Sequence, residues 1–513
     1  MTGTAGPRPN VLLVMVDQLA AGWLPAYGHD VTRAPHLTAL AREGVTFERA
    51  YCASPLCGPS RSAMLTGRLP SATGVFDNAA EWAASTPTVV HALRSAGYAT
   101  ALAGKMHFVG PDQLHGYEER LTTDVYPASF DWTPDWRLPP GARLPWYHNT
   151  ESLLQAGVRE SAMQTDYDDE VAFHAVRKLR ELARGGDGRP FFLTVSFTNP
   201  HDPWEVRSRP WELYEGVDVG RPTTAPASDP HSLRLRDMCG LDGRPLTDEE
   251  VVRARRAYLA AVSYADERIG EVLSALEACG HADDTVVVFT ADHGELLGEH
   301  GLWYKMSFLD PSVRVPLIVR APGVAPGRVA ACVSQLDLAP TLAELAGAEI
   351  DAAELQGASL VPLFGGGGEA AGEAVAEYLA EGVSAPAVMI RRGRHKYIRC
   401  GDDPDQLFDL DADPHEVSDL AGDPSAADLV ASFRRESEER WDLADLERRV
   451  LESQRCRHEV GRALAVGAHF PWDYQPWIDA TRQYVRGGAA GRHRPGERPL
   501  GGELPGEGST PSG

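Results

Sequence analysis

Acidic and imidazole side chains follow three apolar runs of this sequence. Asp17 comes after NVLLVMV, Asp292 and His293 come after TVVVFTA, and His201 follows FFLTVSFTNP. Apolar runs rich in β-branched residues are typical of buried parallel strands, whose carboxyl ends meet at one edge of a sheet. Carboxylates with one imidazole suit a hard or borderline divalent cation, Ca²⁺, Mg²⁺ or Mn²⁺. Taken singly, each Asp fits a helix cap or turn, but together they predict a metal site, to which Gln18 could add an oxygen.

A cysteine stands in the most informative segment, SPLCGPSRSAMLTGRLP. Pro59 fits the first position of a helix, which would place Cys57 at the helix N-terminus. Free N–H groups and partial positive charge make that end a site for an anion. Two other interpretations of Cys57 stay open from these residues: a buried thiol that packs like a small hydrophobe, and a nucleophilic thiolate of low pKa.

Strands alternate with long helical patterns through the first 320 residues, as in residues 247–279. Such alternation predicts an α/β fold with a large, mostly parallel central sheet flanked by helices. Shorter strands and turns follow. We therefore predict a catalytic α/β domain over residues 1–320, a smaller C-terminal α+β lobe over 321–423, a helical and extended C-terminal extension over 424–485, and a disordered Gly-rich tail over 486–513.

Charge and cysteine usage restrict the partners and the compartment. The formal net charge of −24 argues against nucleic acid and anionic membranes as partners, because both require clustered Lys and Arg. The apolar run after the polar N-terminus is too short to cross a bilayer and lacks signal-peptide features. The seven cysteines are scattered, without a paired framework. These features predict a cytoplasmic protein.

The segment around the cysteine resembles the signature of the sulfatase family. Its defining positions are all present, in Cys57-Gly58-Pro59-Ser60-Arg61 and Thr66-Gly67. Further sulfatase motifs match in Gly97-Tyr98, Gly104-Lys105-Met106-His107, Thr290-Ala291-Asp292-His293-Gly294, Lys305, Arg394-His395-Lys396-Tyr397 and Leu407-Phe408-Asp409-Leu410. The resemblance covers nearly all of residues 9–485 and implies the fold of the alkaline phosphatase superfamily.

The resemblance also implies a mechanism for hydrolysis of a sulfate ester. In sulfatases a dedicated formylglycine-generating enzyme oxidises the signature cysteine to Cα-formylglycine, whose hydrated form supplies the nucleophile. Position 57 would hold one divalent metal ion together with Asp17, Asp292 and His293, and the ion would be Ca²⁺ or Mn²⁺, with Mg²⁺ as a third candidate. The resemblance implies that Lys105 and Lys305 stabilise negative charge on the sulfate and that Arg61 orients the nucleophile. It also implies that His107 is the base and His201 the acid.

Other segments resemble the choline sulfatase subfamily more closely, among them residues 104–127, 75–81, 131–135 and 471–476. A quaternary ammonium donates no hydrogen bond and is recognised by aromatic faces and a carboxylate. Trp132, His148 and Glu381 match the subfamily's substrate-binding positions. The resemblance therefore implies a small-molecule sulfate ester, choline-O-sulfate, as the substrate and a homodimer or homotetramer as the assembly.

Two departures from the subfamily and several alternatives accompany this interpretation. Asn199 replaces a usual His, and the chain turns Gly-rich after Arg486, where the subfamily has an acidic tail.

An arylsulfatase, or a phosphonate monoester or phosphodiester hydrolase of the same superfamily, could share the formylglycine and metal site. A non-catalytic scaffold should have lost the cysteine or a metal ligand, and neither is lost. A thiol enzyme would keep Cys57 unmodified.

Overall fold

The structure is a computed structural model that describes residues 8–139, 142–185, 188–365, 372–401 and 403–467. The strands in chain order are β1 Asn10–Val16, β2 Val45–Tyr51, β3 Ala99–Gly104, β4 Glu119–Arg120, β5 Gly157–Val158, β6 Phe191–Ser196, β7 Glu205–Val206, β8 Thr285–Ala291, β9 Arg314–Arg320, β10 Gly327–Ser334, β11 Glu373–Tyr378, β12 Ala387–Arg392, β13 His395–Cys400 and β14 Gln406–Asp409. The α-helices are α1 Pro35–Glu43, α2 Cys57–Thr66, α3 Pro70–Thr73, α4 Val89–Ser95, α5 Thr150–Gln155, α6 Met163–Ala183, α7 Ser208–Glu212, α8 Pro230–Met238, α9 Asp248–Ala278, α10 Asp310–Val313, α11 Leu338–Ala346, α12 Ala427–Arg440 and α13 Leu443–Leu464.

The large sheet has the strand order β10-β2-β9-β8-β1-β6-β3-β4. Strands β8, β1, β6, β3 and β4 are mutually parallel, and β9 runs antiparallel to both of its neighbours. Every residue of β1, β6 and β8 is buried, as expected for strands that are covered on both faces. The predicted mostly parallel α/β sheet with flanking helices is confirmed.

Two helices show how local sequence sets the boundaries of the elements. The predicted long helix is α9, which begins after a capping box between Thr247 and Glu250. The expectation that Pro59 opens its helix is wrong: α2 begins two residues earlier, at Cys57. Because the first N–H groups of a helix have no intrahelical partner, Pro59 fits the third position as well as the first.

A second, antiparallel sheet of order β11-β12-β13-β14 forms the smaller lobe. The helical part of the extension predicted for residues 424–485 comprises α12 and α13. The domain boundaries stay predictions. β10, from the segment assigned to the smaller lobe, pairs with β2 in the large sheet through backbone hydrogen bonds that its local pattern does not reveal. The aromatic part of the extension and the tail, residues 468–513, lie outside the described residues.

Candidate active site

The adjacent strands β8, β1, β6 and β3 deliver the candidate side chains to one edge of the large sheet. Asp292 directly follows β8, Asp17 follows β1 and Lys105 follows β3, while His201 lies five residues beyond β6. Gly104, at the end of β3, has φ of 108°, a conformation that favours glycine. A Cβ at this position would also lie 1.9 Å from the carbonyl oxygen of Ser196, so a larger residue would not fit before Lys105. Strand order therefore brings together residues that lie far apart in the sequence.

The residues predicted to hold a metal form one buried group. Ligand atoms of Asp17, Cys57, Asp292 and His293 all lie within 4.8 Å of one another. The Cys57 Sγ lies 3.2 Å from His293 Nε2 and 3.8 Å from Asp17 Oδ1. Two carboxylates and an imidazole are donors that suit a hard or borderline divalent cation. The residues present therefore fit a metal ion.

Two buried cations neutralise the carboxylates of this group. Arg61 donates from Nε to Asp292 Oδ2 at 2.8 Å and from Nη2 to Asp17 Oδ2 at 3.0 Å. Lys105 Nζ also contacts Asp17 Oδ2. Burial and the charge of Cys57 would raise the pKa of Asp17, but Lys105, His201 and Arg61 hold that pKa well below its usual range. Asp17 is therefore ionised and available to a cation.

The field around position 57 favours negative charge. Burial raises the pKa of the Cys57 thiol, yet Lys105, Lys305 and His293 together bring that pKa well below its ordinary value. Cys57 is also the first residue of α2, where free backbone N–H groups add partial positive charge. The position can thus stabilise an anion, whether a thiolate or an ionised hydroxyl.

The turn after β3 aims His107 at position 57. The backbone of His107 has φ of 58°, a strained value for this residue type. The Asp124 carboxylate accepts hydrogen bonds from the N–H groups of Met106 and His107, at 2.9 and 2.8 Å, and stabilises the turn. The His107 Nε2 lies 3.0 Å from the carbonyl oxygen of Asn78. The His107 Nδ1 is buried without a hydrogen-bond partner among the described residues, and the imidazole helps to lower the pKa of Cys57.

On the opposite side, Lys305 Nζ lies 2.8 Å from His201 Nε2. The His201 Nδ1 lies 2.6 Å from the carbonyl oxygen of Asp202, which can only accept, so Nδ1 carries the proton. Gln18, considered above as an extra oxygen ligand, has its Oε1 2.5 Å from Lys305 Nζ. That oxygen is therefore engaged in positioning the lysine, since Gln18 Nε2 donates to Glu295 and Asp202 on its other side.

A cavity of about 200 Å³ opens from position 57, and its lining includes the three predicted substrate-binding residues. The rings of Trp132 and Trp146 stack with centroids 6.5 Å apart. Glu381 is 2% exposed, and burial raises its pKa to about 7. Its Oε2 has no hydrogen-bond partner among the residues that the structure describes. His148 stacks on Tyr304 and lies 3.6 Å from the Asp202 carboxylate.

The structure adds residues that the sequence did not single out. The Tyr126 hydroxyl oxygen lies 3.1 Å from His201 Nδ1, and the Tyr126 ring centroid lies 4.1 Å from Lys105 Nζ. Trp146 and Asn78 line the cavity with it. Tyr126 and Asn78 lie inside segments used for the resemblance, and Trp146 lies two residues before His148, but no spacing or charge distinguishes the three from ordinary loop residues. Every predicted site residue lies in or directly around this one centre.

The sequence model of the sulfatase family matches residues 9–348. The chain belongs to the sulfatase family. The C-terminal domain of N-sulphoglucosamine sulphohydrolase matches residues 298–442, and the C-terminal domain of choline sulfatase matches residues 448–489. Because the chain belongs to this family and matches a choline-sulfatase over most of its length, the protein is a sulfuric ester hydrolase.

Individual relatives extend over most of the chain. A choline-sulfatase of Rhizobium meliloti is 48% identical, over 93% of this chain and 96% of its own length. A multifunctional alkaline phosphatase superfamily protein of Trinickia caryophylli is 30% identical, over 86% and 96%. Among solved structures, a phosphonate monoester hydrolase of Agrobacterium radiobacter has a TM-score of 0.68 at 25% identity, over 86% and 96%. Throughout the described part of the chain, no helix has the length and apolarity needed to span a membrane.

Proposed function

We propose that this sulfatase hydrolyses choline-O-sulfate to choline and sulfate. The observation that carries the proposal is the buried Glu381 carboxylate, whose Oε2 has no hydrogen-bond partner among the described residues and which lines a cavity together with Trp132 and Trp146. An unpaired buried carboxylate is costly, and a quaternary ammonium beside aromatic faces would compensate that cost without needing a donor. The 48% identity to a choline-sulfatase supports the same substrate.

The side chains around position 57 divide the chemical work. Lys105 and Lys305 would stabilise negative charge on the sulfate oxygens. His201 would act as the acid for the leaving choline oxygen, and Lys305 Nζ, 2.8 Å from His201 Nε2, would supply the proton through the imidazole. Arg61 would orient the reactive group, and His107 Nδ1 would accept a proton from it, because His107 Nε2 already faces a carbonyl. When bound, the metal would lower the pKa of a hydroxyl that the formylglycine supplies as nucleophile.

The metal, the maturation and the assembly belong to the same proposal. Asp17, Asp292, His293 and the formylglycine at position 57 would hold one Ca²⁺ or Mn²⁺, with Mg²⁺ as a third candidate, and a formylglycine-generating enzyme would convert Cys57. All seven cysteines are free in the structure, which supports a reducing, cytoplasmic location. The resemblance supports a homodimer or homotetramer, for which light scattering of the purified protein is the test.

A substrate panel tests the proposed activity. The protein is co-expressed with a formylglycine-generating enzyme, and kcat/KM is measured for choline-O-sulfate, an aryl sulfate and an aryl phosphonate monoester. We expect choline-O-sulfate to be preferred by several orders of magnitude. The likeness to phosphonate monoester hydrolases makes the third substrate the relevant competitor. Equal or higher rates on either aryl ester would contradict choline-O-sulfate as the substrate.

Glu381→Gln should raise KM for choline-O-sulfate while leaving the aryl sulfate nearly unaffected. The variant removes the counter-charge of the ammonium, and we expect a loss of about 10-fold to 100-fold in kcat/KM, as for a lost charge-assisted contact. In the wild type, the preference for the cationic ester should also fall as pH drops through about 7, where Glu381 becomes protonated. In the variant that preference should not change with pH.

Glu377→Gln is the matched control for this variant. Glu377 is also a buried glutamate and lies close to Glu381 in the sequence, on β11. Its carboxylate accepts hydrogen bonds from Ser71 and Trp441. Steady-state kinetics of both variants on both esters measure the effect. An equal loss on the two esters in Glu381→Gln would show that the carboxylate has no part in recognising the cation.

A further inference from the structure

Helix α13 reaches the active site through a buried arginine. Arg457 is 5% exposed, and its two terminal nitrogens each donate to the Asp77 carboxylate at 2.6 Å. Its Nη1 also contacts Thr133 Oγ1 at 3.2 Å, and its Nε contacts Ser453 on the same helix. Such a bidentate pair fixes the geometry of both partners as well as their distance. The helix is thereby tied to the loop that holds Asp77.

The residue after Asp77 makes two contacts with the catalytic centre. Asn78 Oδ1 accepts a hydrogen bond at 2.8 Å from the N–H of Gly58, next to the reactive position. The carbonyl oxygen of Asn78 lies 3.0 Å from His107 Nε2. Because a carbonyl can only accept, this contact places the His107 proton on Nε2 and leaves Nδ1 as the basic nitrogen. The loop thus selects the tautomer that can accept a proton at position 57.

The same face of α13 also holds the loop that follows the cavity residue Trp132. Gln454 Oε1 accepts from the N–H of Trp136 at 3.0 Å, and His458 Nε2 lies 3.1 Å from the Pro134 carbonyl oxygen. Trp136 Nε1 in turn donates to the carbonyl oxygen of Ala380, the neighbour of Glu381. These contacts hold the loop after Trp132, whose ring lies edge-on to the His107 ring with centroids 6.0 Å apart. Arg457 contacts this loop at Thr133 and is the residue of this face that also holds Asp77.

We propose that Arg457 is a positioning residue for the hydrolysis: its ion pair with Asp77 holds the Asn78 peptide that sets the orientation and tautomer of His107. The inference rests on the proposed function of the site. It differs from a purely structural role of the ion pair, in which losing both charges together would leave catalysis intact. A positioning role requires that catalysis fall even in a fully folded variant.

Three variants test the proposal with the full-length, formylglycine-containing protein. Arg457→Met alone leaves Asp77 buried and unpaired, which is strongly destabilising, so the informative variant is the double one, Arg457→Met with Asp77→Asn. Its kcat on an aryl sulfate should fall about 10-fold to 100-fold, as when a hydrogen-bond partner that orients a side chain of the site is lost. Its KM should stay nearly unchanged. Arg457→Lys should recover part of kcat, because it restores the charge but not the bidentate geometry.

Arg455→Met is the control on the same helix, since Arg455 pairs with glutamates of α13 at the surface. It should keep wild-type kcat. Thermal unfolding establishes that the variants are folded. ¹⁵N shifts of the His107 ring, assigned with His107→Gln, report the tautomer without any turnover, and the double variant should lose the pure Nε2–H form.

The outcomes separate this proposal from the proposed function. A folded double variant with wild-type kcat and an unchanged His107 tautomer would overturn the positioning role, as would a loss confined to KM. If the wild type and Arg455→Met hydrolyse no sulfate ester, the proposed function fails, and the ring shifts still decide whether Arg457 orients His107.

Discussion

Replacing Cys57 with Ala should abolish sulfate ester hydrolysis, with kcat reduced by about 10⁴-fold or more, as for removal of a covalent nucleophile. Alanine has neither a thiol nor the means to become formylglycine, while the surrounding cations would remain in place. The variant should stay folded, because the side chain it loses is small. Initial rates on choline-O-sulfate and an aryl sulfate measure the loss, and the intact mass of the wild-type peptide shows whether Cys57 has been converted, since conversion lowers that mass.

Cys332→Ala is the control for this variant. Cys332 is another buried cysteine, on β10, where it contacts the Arg391 carbonyl oxygen away from the cavity. Its loss should leave kcat close to that of the wild type. Substantial hydrolysis by Cys57→Ala would contradict a nucleophile at this position, and full activity of a wild-type protein with unconverted Cys57 would favour a thiol enzyme.

Asp17→Asn should remove the metal ion and reduce kcat about 10³-fold or more. The reason is that the proposed metal would lower the pKa of the nucleophile and stabilise negative charge. The amide keeps the shape of the carboxylate but lacks the charge that opposes the cation. The same change leaves Lys105 and Arg61 with one fewer anionic partner. Elemental analysis of the purified protein measures the bound metal, and kinetics before and after chelation measure its contribution.

Asp266→Asn is the corresponding control. Asp266 is equally buried, but it accepts hydrogen bonds from the N–H groups of His36 and Leu37 at the start of α1. That variant should lower the thermal unfolding temperature and keep the metal. An Asp17→Asn protein that binds a full equivalent of metal would rule out Asp17 as an essential ligand.

The sequence predicted much of this site because its signals are local. An apolar run followed by Asp marks the end of a buried strand, and Asp17 and Asp292 do follow β1 and β8. The cysteine signature lies within one helix start, and only the first residue of that helix was misplaced. The sequence also offers Gln18 as a metal ligand, and only the structure shows that its Oε1 accepts a hydrogen bond from Lys305 Nζ.

Several features depend on contacts between distant parts of the chain. Arg457 and Asp77 are 380 positions apart, and neither carries a pattern that distinguishes it from a surface charge. Likewise, β10 looks like a strand of the smaller lobe until its pairing with β2 is seen. Trp146 and Tyr126 become cavity walls only because two loops fold over the same strand ends.

By itself, the sequence determined which residue types are available for chemistry, the family, and the strands that must carry the metal ligands. These follow from side-chain chemistry and from the spacing of apolar residues, and both can be read from short segments of the sequence. The tertiary structure decided how the parts meet. It sets the order of strands that gathers Asp17, Lys105, His201 and Asp292, the burial of Glu381 beside an aromatic cavity, and the ion pair of α13 with Asp77. Burial and hydrogen-bond partners are properties of the packed chain, so no local pattern could have supplied them.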